Sequence, residues 1–227
     1  MQRQFLKPKK TTNLFCIIGK PGTGKQAILD DIFSNARFVD KNRISRFVYG
    51  TTKESEPIDY SELKCERYSL EEYRNLDPES IIESRSYDDI ISGELYYHFT
   101  LEKHIMVGGN IVGITTIFQF EEINKWAHIK QMEDLSWEIN IYPIYINSPL
   151  SDRIKHLLSK TKDDHGIYKV CARLLEERYE YRPVMENKVI DRSDPKVLYI
   201  NNAGGVNQMS KIYKEVRLFI ELHCKDV

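Results

Sequence analysis

An apolar run, Leu14-Phe15-Cys16-Ile17-Ile18, feeds directly into Gly19-Lys20-Pro21-Gly22-Thr23-Gly24-Lys25-Gln26, and a helical pattern starts at the lysine. Few arrangements satisfy that order. A buried strand that ends in a glycine-rich turn and restarts as a helix aims consecutive backbone N–H groups at one point, next to the positive end of the helix. The pattern predicts a phosphate site, with Lys25 reaching the outer oxygens of a nucleoside polyphosphate. Lys20, inside the same loop, reads as solvated. The hydroxyl residue that usually follows such a lysine and touches Mg²⁺ is Gln26 here.

The rest of the chain supplies the layers around this unit. Ile28, Leu29, Ile32 and Phe33 recur at helical spacing and predict a helix from about Lys25 to Asn35. Phe47-Val48-Tyr49 reads as a short strand, followed to Pro78 by a polar, charged excursion from the core. Residues 80–87 and 93–100 alternate or are aromatic and predict a hairpin. Asn110–Thr116 and Ile139–Ile146 have the continuous apolar character of buried parallel strands, with a crossover helix at Glu121–Trp126 between them. Ser148 is placed to cap a helix with Pro149 in its first turn and Ile154, Leu157 and Leu158 on one face. The charged stretch Lys160–Gly166 suits a solvated loop or a mobile lid, and a helix resumes near Tyr168 and runs through Arg178. A last strand, Val197–Ile200, precedes a helix carrying Ile212, Val216, Phe219 and Ile220. Strands alternating with helices predict a three-layer α/β fold with a mostly parallel sheet.

Composition narrows the partners. With 227 residues, 41% of them hydrophobic, the chain can bury one good core and reads as a single domain. Lys+Arg (33) and Asp+Glu (34) balance, so no global field favours nucleic acid or an acidic membrane, and anion binding must be local. Cys16, Cys65, Cys171 and Cys224 lie far apart without metal-ligand spacing, which predicts free thiols in a reducing compartment. His98, His104 and His128 form no ligand set. No apolar stretch approaches the roughly 18 residues of a membrane span, so a soluble, cytoplasmic protein is expected.

In order along the chain, these motifs resemble the guanylate kinase family of P-loop nucleoside monophosphate kinases, particularly its divergent bacterial and phage-type members. Thr51-Thr52-Lys53 is similar to the family's Ser-x-Thr-Thr-Arg segment that holds the GMP phosphate, with lysine for arginine, Tyr49 at the serine position and Glu56 at the second arginine position. Asp59-Tyr60 resembles the Asp-Tyr that follows. Ile81-Ile82-Glu83 matches the apolar-apolar-Glu segment whose carboxylate reads the guanine edge, and Arg85 could restore the cation lost at Glu56. Tyr96-Tyr97-His98-Phe99-Thr100 looks like the tyrosine-rich strand of the divergent members. Cys171-Ala172-Arg173-Leu174 is similar to the Lys-Arg-Leu whose arginine closes over the transferring phosphoryl, and Lys160 or Lys162 stands where the first lid arginine is expected. Tyr199-Ile200-Asn201-Asn202 resembles the Val-Asn-Asp of the adenine pocket. The family's acidic Asp-x-Asp motif is absent, its strand ending Gly113-Ile114-Thr115-Thr116.

The resemblance implies one guanylate kinase-like domain over residues 1–227: a core of about 12–49, 101–150 and 175–227, a nucleotide-acceptor subdomain of about 50–100 and a lid of about 151–174. It implies transfer of the ATP γ-phosphoryl to GMP or a related nucleotide, with Lys25, Arg173 and Lys160 catalytic. ATP would be held by Gly19, Pro21, Gly22, Thr23, Gly24, Lys25, Gln26 and Asn201. Thr51, Lys53, Tyr60, Glu83, Arg85, Tyr97 and Thr100 would hold the acceptor. Mg²⁺ is implied with non-standard coordination at Gln26 and no protein metal site; nucleic acid and membrane are not expected partners, and the chain is a monomer or homodimer. Plainer roles stand beside these: Arg173 paired with Glu176 or Glu177, Glu83 paired with Arg85, and Asn201 in an ordinary turn. A guanylate kinase-like binding module without turnover is the alternative, and a P-loop kinase for another small acceptor is a third reading.

Overall fold

Leu14 to Ile18 are wholly buried, because the strand that carries them, β1 (Lys10–Gly19), lies at the centre of a sheet covered on both faces. In the computed structural model, residues 9–53, 65–88, 93–181, 190–203 and 206–224 are described, without the side chains of 88, 176, 179, 180, 206 and 207. Four strands join β1: β2 (Ile44–Arg46), β7 (Gly109–Ile114), β8 (Trp137–Asn147) and β9 (Leu198–Asn201). Their order is β2-β7-β1-β8-β9 and every pairing is parallel. The expected α/β architecture is present.

Side-chain alternation along β1 divides the core into two halves. Phe15 and Ile17 pack with Ile28, Leu29 and Ile32 of α1 (Lys25–Ser34) and with Ile212, Val216, Phe219 and Ile220 of α8 (Val206–His223). Leu14, Cys16 and Ile18 face Ile117, Phe120, Ile123 and Ala127 of α5 (Ile117–Glu133). That stripe makes α5 much longer than the expected Glu121–Trp126. Its first turn is capped by Thr116, whose hydroxyl accepts from Gln119 N at 3.1 Å.

The expected strand at Phe47–Tyr49 is replaced by a corner. Phe47 N still donates to Val112 O at 2.9 Å, continuing the β2 ladder, but from Tyr49 the chain enters a second sheet. That sheet has the order β4-β3-β6-β5, from β3 (Tyr49–Thr51), β4 (Cys65–Arg67), β5 (Ile81–Asp88) and β6 (Leu95–Leu101). Strands β5 and β6 are the expected antiparallel hairpin. Short helices α2 (Ala36–Asn42), α3 (Leu70–Arg74) and α4 (Glu102–Ile105) fill the connections. Gly50 is required in β3, since a Cβ there would sit 2.2 Å from the Phe99 ring.

Two helix starts also differ from expectation. The helix α6 (Leu150–Ser159) has Pro149 at its N-cap, and Ser148 instead donates its hydroxyl to Asn202 O at 2.9 Å. Helix α7 (Asp164–Glu180) begins four residues before Tyr168, because Asp163 accepts from Gly166 N at 2.8 Å and caps it. Part of the charged stretch is therefore helix.

Candidate functional site

The glycine-rich loop leaves the carboxyl end of β1, and α1 starts at Lys25. In a parallel α/β sheet this edge is where ligands bind, at the point where connections run off in opposite directions. Here β1 leads through α1 and α2 to β2 on one side, whereas β8 leads through α6 and α7 to β9 on the other. Gly22 and Gly24 both have positive φ, at +81° and +93°. A Cβ on Gly22 would also lie 2.8 Å from Arg153 O, so backbone freedom and close packing both require glycine there.

Side chains from four elements hold the loop. Lys25 Nζ donates to Gly19 O and, at 3.1 Å, to Lys20 O. Thr23 is buried and its hydroxyl donates to Lys20 O at 2.9 Å. From α6, Arg153 donates to Pro21 O at 3.1 Å; just past the end of α7, Tyr181 donates its hydroxyl to Gly19 O at 2.9 Å. Lys20 lies over the Tyr181 ring, 5.9 Å from its centroid, in place of the purely solvated position expected. Asn202 Nδ2 donates to Thr23 O at 3.2 Å and its own N–H to Asn147 O at 2.7 Å. Asn201, the expected adenine-pocket residue, ends β9 exposed, one position before this buttress.

Gln26 turns along α1 and donates to Asp30 Oδ1 at 2.8 Å. The strand end that the family resemblance would furnish with carboxylates carries Thr115, which is buried, and Thr116, which caps α5. No group of three or more His, Cys, Asp or Glu side chains that could hold a metal ion occurs among the described residues. These side chains do not fit a protein-held Mg²⁺.

The small sheet places most of the expected acceptor residues on one face. In the β5–β6 register Glu83 pairs with Thr100, Arg85 with His98 and Tyr87 with Tyr96, while Thr51 of β3 pairs with His98. Thr100 donates to Glu83 Oε1 at 2.7 Å, and Gln119 Nε2 of α5 lies 3.0 Å from both Glu83 Oε1 and Thr100 Oγ1. Glu83 is 7% exposed, and burial raises its pKa against the lowering effects of Thr100, Gln119 and Arg85. The Arg85 guanidinium lies 4.1 Å from the Phe118 ring centroid. Lys53 is 6% exposed with its ammonium 4.5 Å from the Tyr96 centroid, and its amide donates to Thr51 Oγ1 at 3.2 Å. His98 packs against Tyr49, Tyr87 and Tyr96, and burial together with the Lys53 charge holds its pKa down at about 4.

Tyr97 does not join them. It points to the opposite face and stacks on Tyr73 of α3 at 4.7 Å. Tyr60 lies outside the described residues. Lys160 is the exposed C-cap of α6, Lys162 is exposed beyond it, and Arg173 is half-buried in the middle of α7. Glu177, one of the carboxylates considered for Arg173, binds Arg153 with both oxygens. The four cysteines form no disulfide, and burial pushes the Cys16 thiol up to about 12, so it is inert at neutral pH. No helix among the described residues is long and apolar enough to cross a membrane.

Sequence reasoning missed Gln119 and Arg153, and gave Asn202 only as part of the segment that resembles the adenine pocket. Gln119 had a local signal, lying three residues after a Thr that follows a buried strand. Arg153, inside α6, had none.

No protein-family model matches the chain, and no curated protein matches it. Among solved structures, the chain is similar to guanylate kinase from Anaplasma phagocytophilum, with 12% identity and a TM-score of 0.48 over 96% of this chain and 89% of that one.

Proposed function

We propose that this chain is an ATP-dependent nucleoside monophosphate kinase that passes the γ-phosphoryl of Mg-ATP to GMP or a closely related nucleotide, giving the diphosphate and ADP. The observation that carries the reading is the pairing of two sites on one sheet edge. The lysine-bearing loop leaves β1, and the helix that brings Gln119 to the buried Glu83 and Thr100 leaves the neighbouring β7, whose next residue Thr115 still donates to Ile17 O at 3.1 Å. A polyphosphate cradle beside a polar, carboxylate-bearing face suits two nucleotides.

Phosphoryl transfer is catalysed mainly by positioning and by cations around the moving charge. Lys25 and the Gly22 and Gly24 amides hold the donor phosphates. Lys53 and Arg85 hold the acceptor phosphate, and Glu83 and Thr100 read its base. A phosphate oxygen of the acceptor attacks the γ-phosphorus as the bond to the ADP oxygen breaks, while Arg173 and Lys160 close from α7 and α6 and exclude water. To serve, Lys25 must exchange the carbonyls of Gly19 and Lys20 for phosphate oxygens.

The bond from Gln26 to Asp30 favours a second reading, a module that binds nucleotide without turnover, since nothing at that position orients the metal of Mg-ATP. A coupled assay with ATP and a panel of nucleoside monophosphates separates the two. ADP release well above the ATP-only rate with GMP supports the kinase. Calorimetric binding of GMP and ATP without any acceptor-dependent ADP selects the binding module.

A further inference from the structure

We propose that Gln119 sets the base preference of the acceptor site: held between Glu83 and Thr100, its amide keeps Glu83 an acceptor and so selects a purine edge with two adjacent N–H donors. The inference rests on the kinase reading and deepens it.

The three side chains form a closed ring. Thr100 Oγ1 donates to Glu83 Oε1 at 2.7 Å, and Gln119 Nε2 lies 3.0 Å from both of those oxygens. With Glu83 ionised the amide orientation is fixed, because a flip would put its oxygen against the carboxylate oxygen. Both donors thus converge on Oε1, which leaves Glu83 Oε2 and Gln119 Oε1 as acceptors for a ligand. Thr116 fixes the first turn of α5 through Gln119 N at 3.1 Å, so the backbone that aims the amide is itself held.

Protonation decides what such a pair can read. An ionised Glu83 beside the Gln119 carbonyl accepts from adjacent N–H donors, the pattern of guanine N1–H and N2–H₂. A protonated Glu83 offers one donor and one acceptor, the complement of adenine N1 and N6–H₂. Burial of Glu83 favours the protonated form, and the groups acting on it divide: Arg85 on its own strand favours the ion, Glu122 on α5 opposes it, and Thr100 on β6 and Gln119 on α5 donate to it. Gln119 therefore acts twice, its carbonyl accepting from the base and its amide holding Glu83 ionised, and its removal shifts Glu83 toward the neutral acid. Hydrogen bonds to charged groups are the strong ones, so its loss should be felt about ten- to a hundredfold.

The test compares wild type with Gln119→Leu and Gln119→Glu, measuring kcat/KM for GMP and AMP, calorimetric binding of both nucleotides, and the infrared titration of the Glu83 carboxyl, identified by its loss in Glu83→Gln. Gln119→Glu keeps the side-chain shape if Gln119→Leu folds poorly. Expected are a drop of about tenfold or more in the GMP:AMP ratio of both variants, an unchanged KM for ATP, and Glu83 titrating at higher pH than in wild type. A GMP:AMP ratio and a Glu83 titration both unmoved, in a wild type that does phosphorylate GMP, would overturn the role of Gln119 alone. A wild type that phosphorylates and binds neither nucleotide overturns the kinase reading and this inference with it.

Discussion

Arg153 of α6 and Glu177 of α7 form a two-pronged ion pair, with Nη2 2.9 Å from Oε1 and Nη1 on Oε2, and Nη1 also donates to Pro21 O at 3.1 Å. The two side chains are 4% and 12% exposed. Arg153, within the range 151–174 expected to act as a lid, is thereby tied to the phosphate loop. Closure would have to pivot around this joint.

Removing one partner of that pair leaves a buried charge behind. Arg153 Nε already has no hydrogen-bond partner among the described residues, so Glu177→Ala should cost about 3 kcal/mol or more, read by urea unfolding. The double variant Arg153→Met with Glu177→Leu should cost less than either single change, since it removes both desolvated charges. A double variant as unstable as the sum of the singles would show that the pair contributes through packing alone.

The legible part of this architecture was what local chemistry dictates. Leu14 to Lys25 specified strand, turn and helix because apolar burial, glycine conformations and a helix start coincide there, and the β5–β6 hairpin announced itself by alternation. What stayed hidden depended on tertiary placement. Phe47 reads as strand in isolation, yet the chain changes sheets beside it. Ser148 looked like a cap until Asn202 O competed for its hydroxyl. Tyr97 and Tyr96 are indistinguishable by composition, and only the pairing of Ser86 with Tyr97 and of Tyr87 with Tyr96 decides which of them shares a face with Glu83.

Lys25 gives the sharpest test of the loop. In the free protein its ammonium satisfies loop carbonyls, so Lys25→Met removes both that support and the charge proposed to meet phosphate. Wild type should gain about 2.7 kcal/mol in the presence of ATP at about 100 times its dissociation constant. The variant should gain almost nothing at the same concentration, measured by thermal unfolding with and without ATP. An undiminished gain in Lys25→Met would remove the lysine from the phosphate site.

Asn13, Asn110 and Asn140 stand in register on β1, β7 and β8 and lock the centre of the sheet. Asn13 Nδ2 donates to Asn110 Oδ1 at 2.9 Å and to His223 O at 3.2 Å, and its Oδ1 accepts from Asn140 Nδ2 at 3.2 Å. Asn13→Leu strands the buried Asn110 Oδ1 and takes one hydrogen bond from each of the half-buried Asn140 and His223, and a buried orphan costs about 1–3 kcal/mol. A loss of about 1–3 kcal/mol in urea unfolding is expected; since none of the residues proposed for the nucleotide sites is touched, the KM values should be unchanged in the protein that still folds.

His98 predicts how acid acts on the small sheet. Burial first, and the Lys53 charge second, lower its pKa from 6.5 to about 4, so the folded chain binds fewer protons than the unfolded chain between those values. Its contribution is complete above pH 6.5 and is lost as pH falls to about 4. His104, also lowered by burial, acts in the same direction. Glu83, raised by burial, opposes both, and Glu66, lowered to about 2 chiefly by Lys103 and Tyr68, acts only at lower pH. His98→Phe keeps a ring among Tyr49, Tyr87 and Tyr96 and removes the titration. The fall in thermal midpoint through the His98 window should therefore be shallower in the variant, with the portions of His104 and His156, both lowered by burial, left. An unchanged slope would mean that His98 takes up its proton in the folded protein as readily as in the unfolded chain.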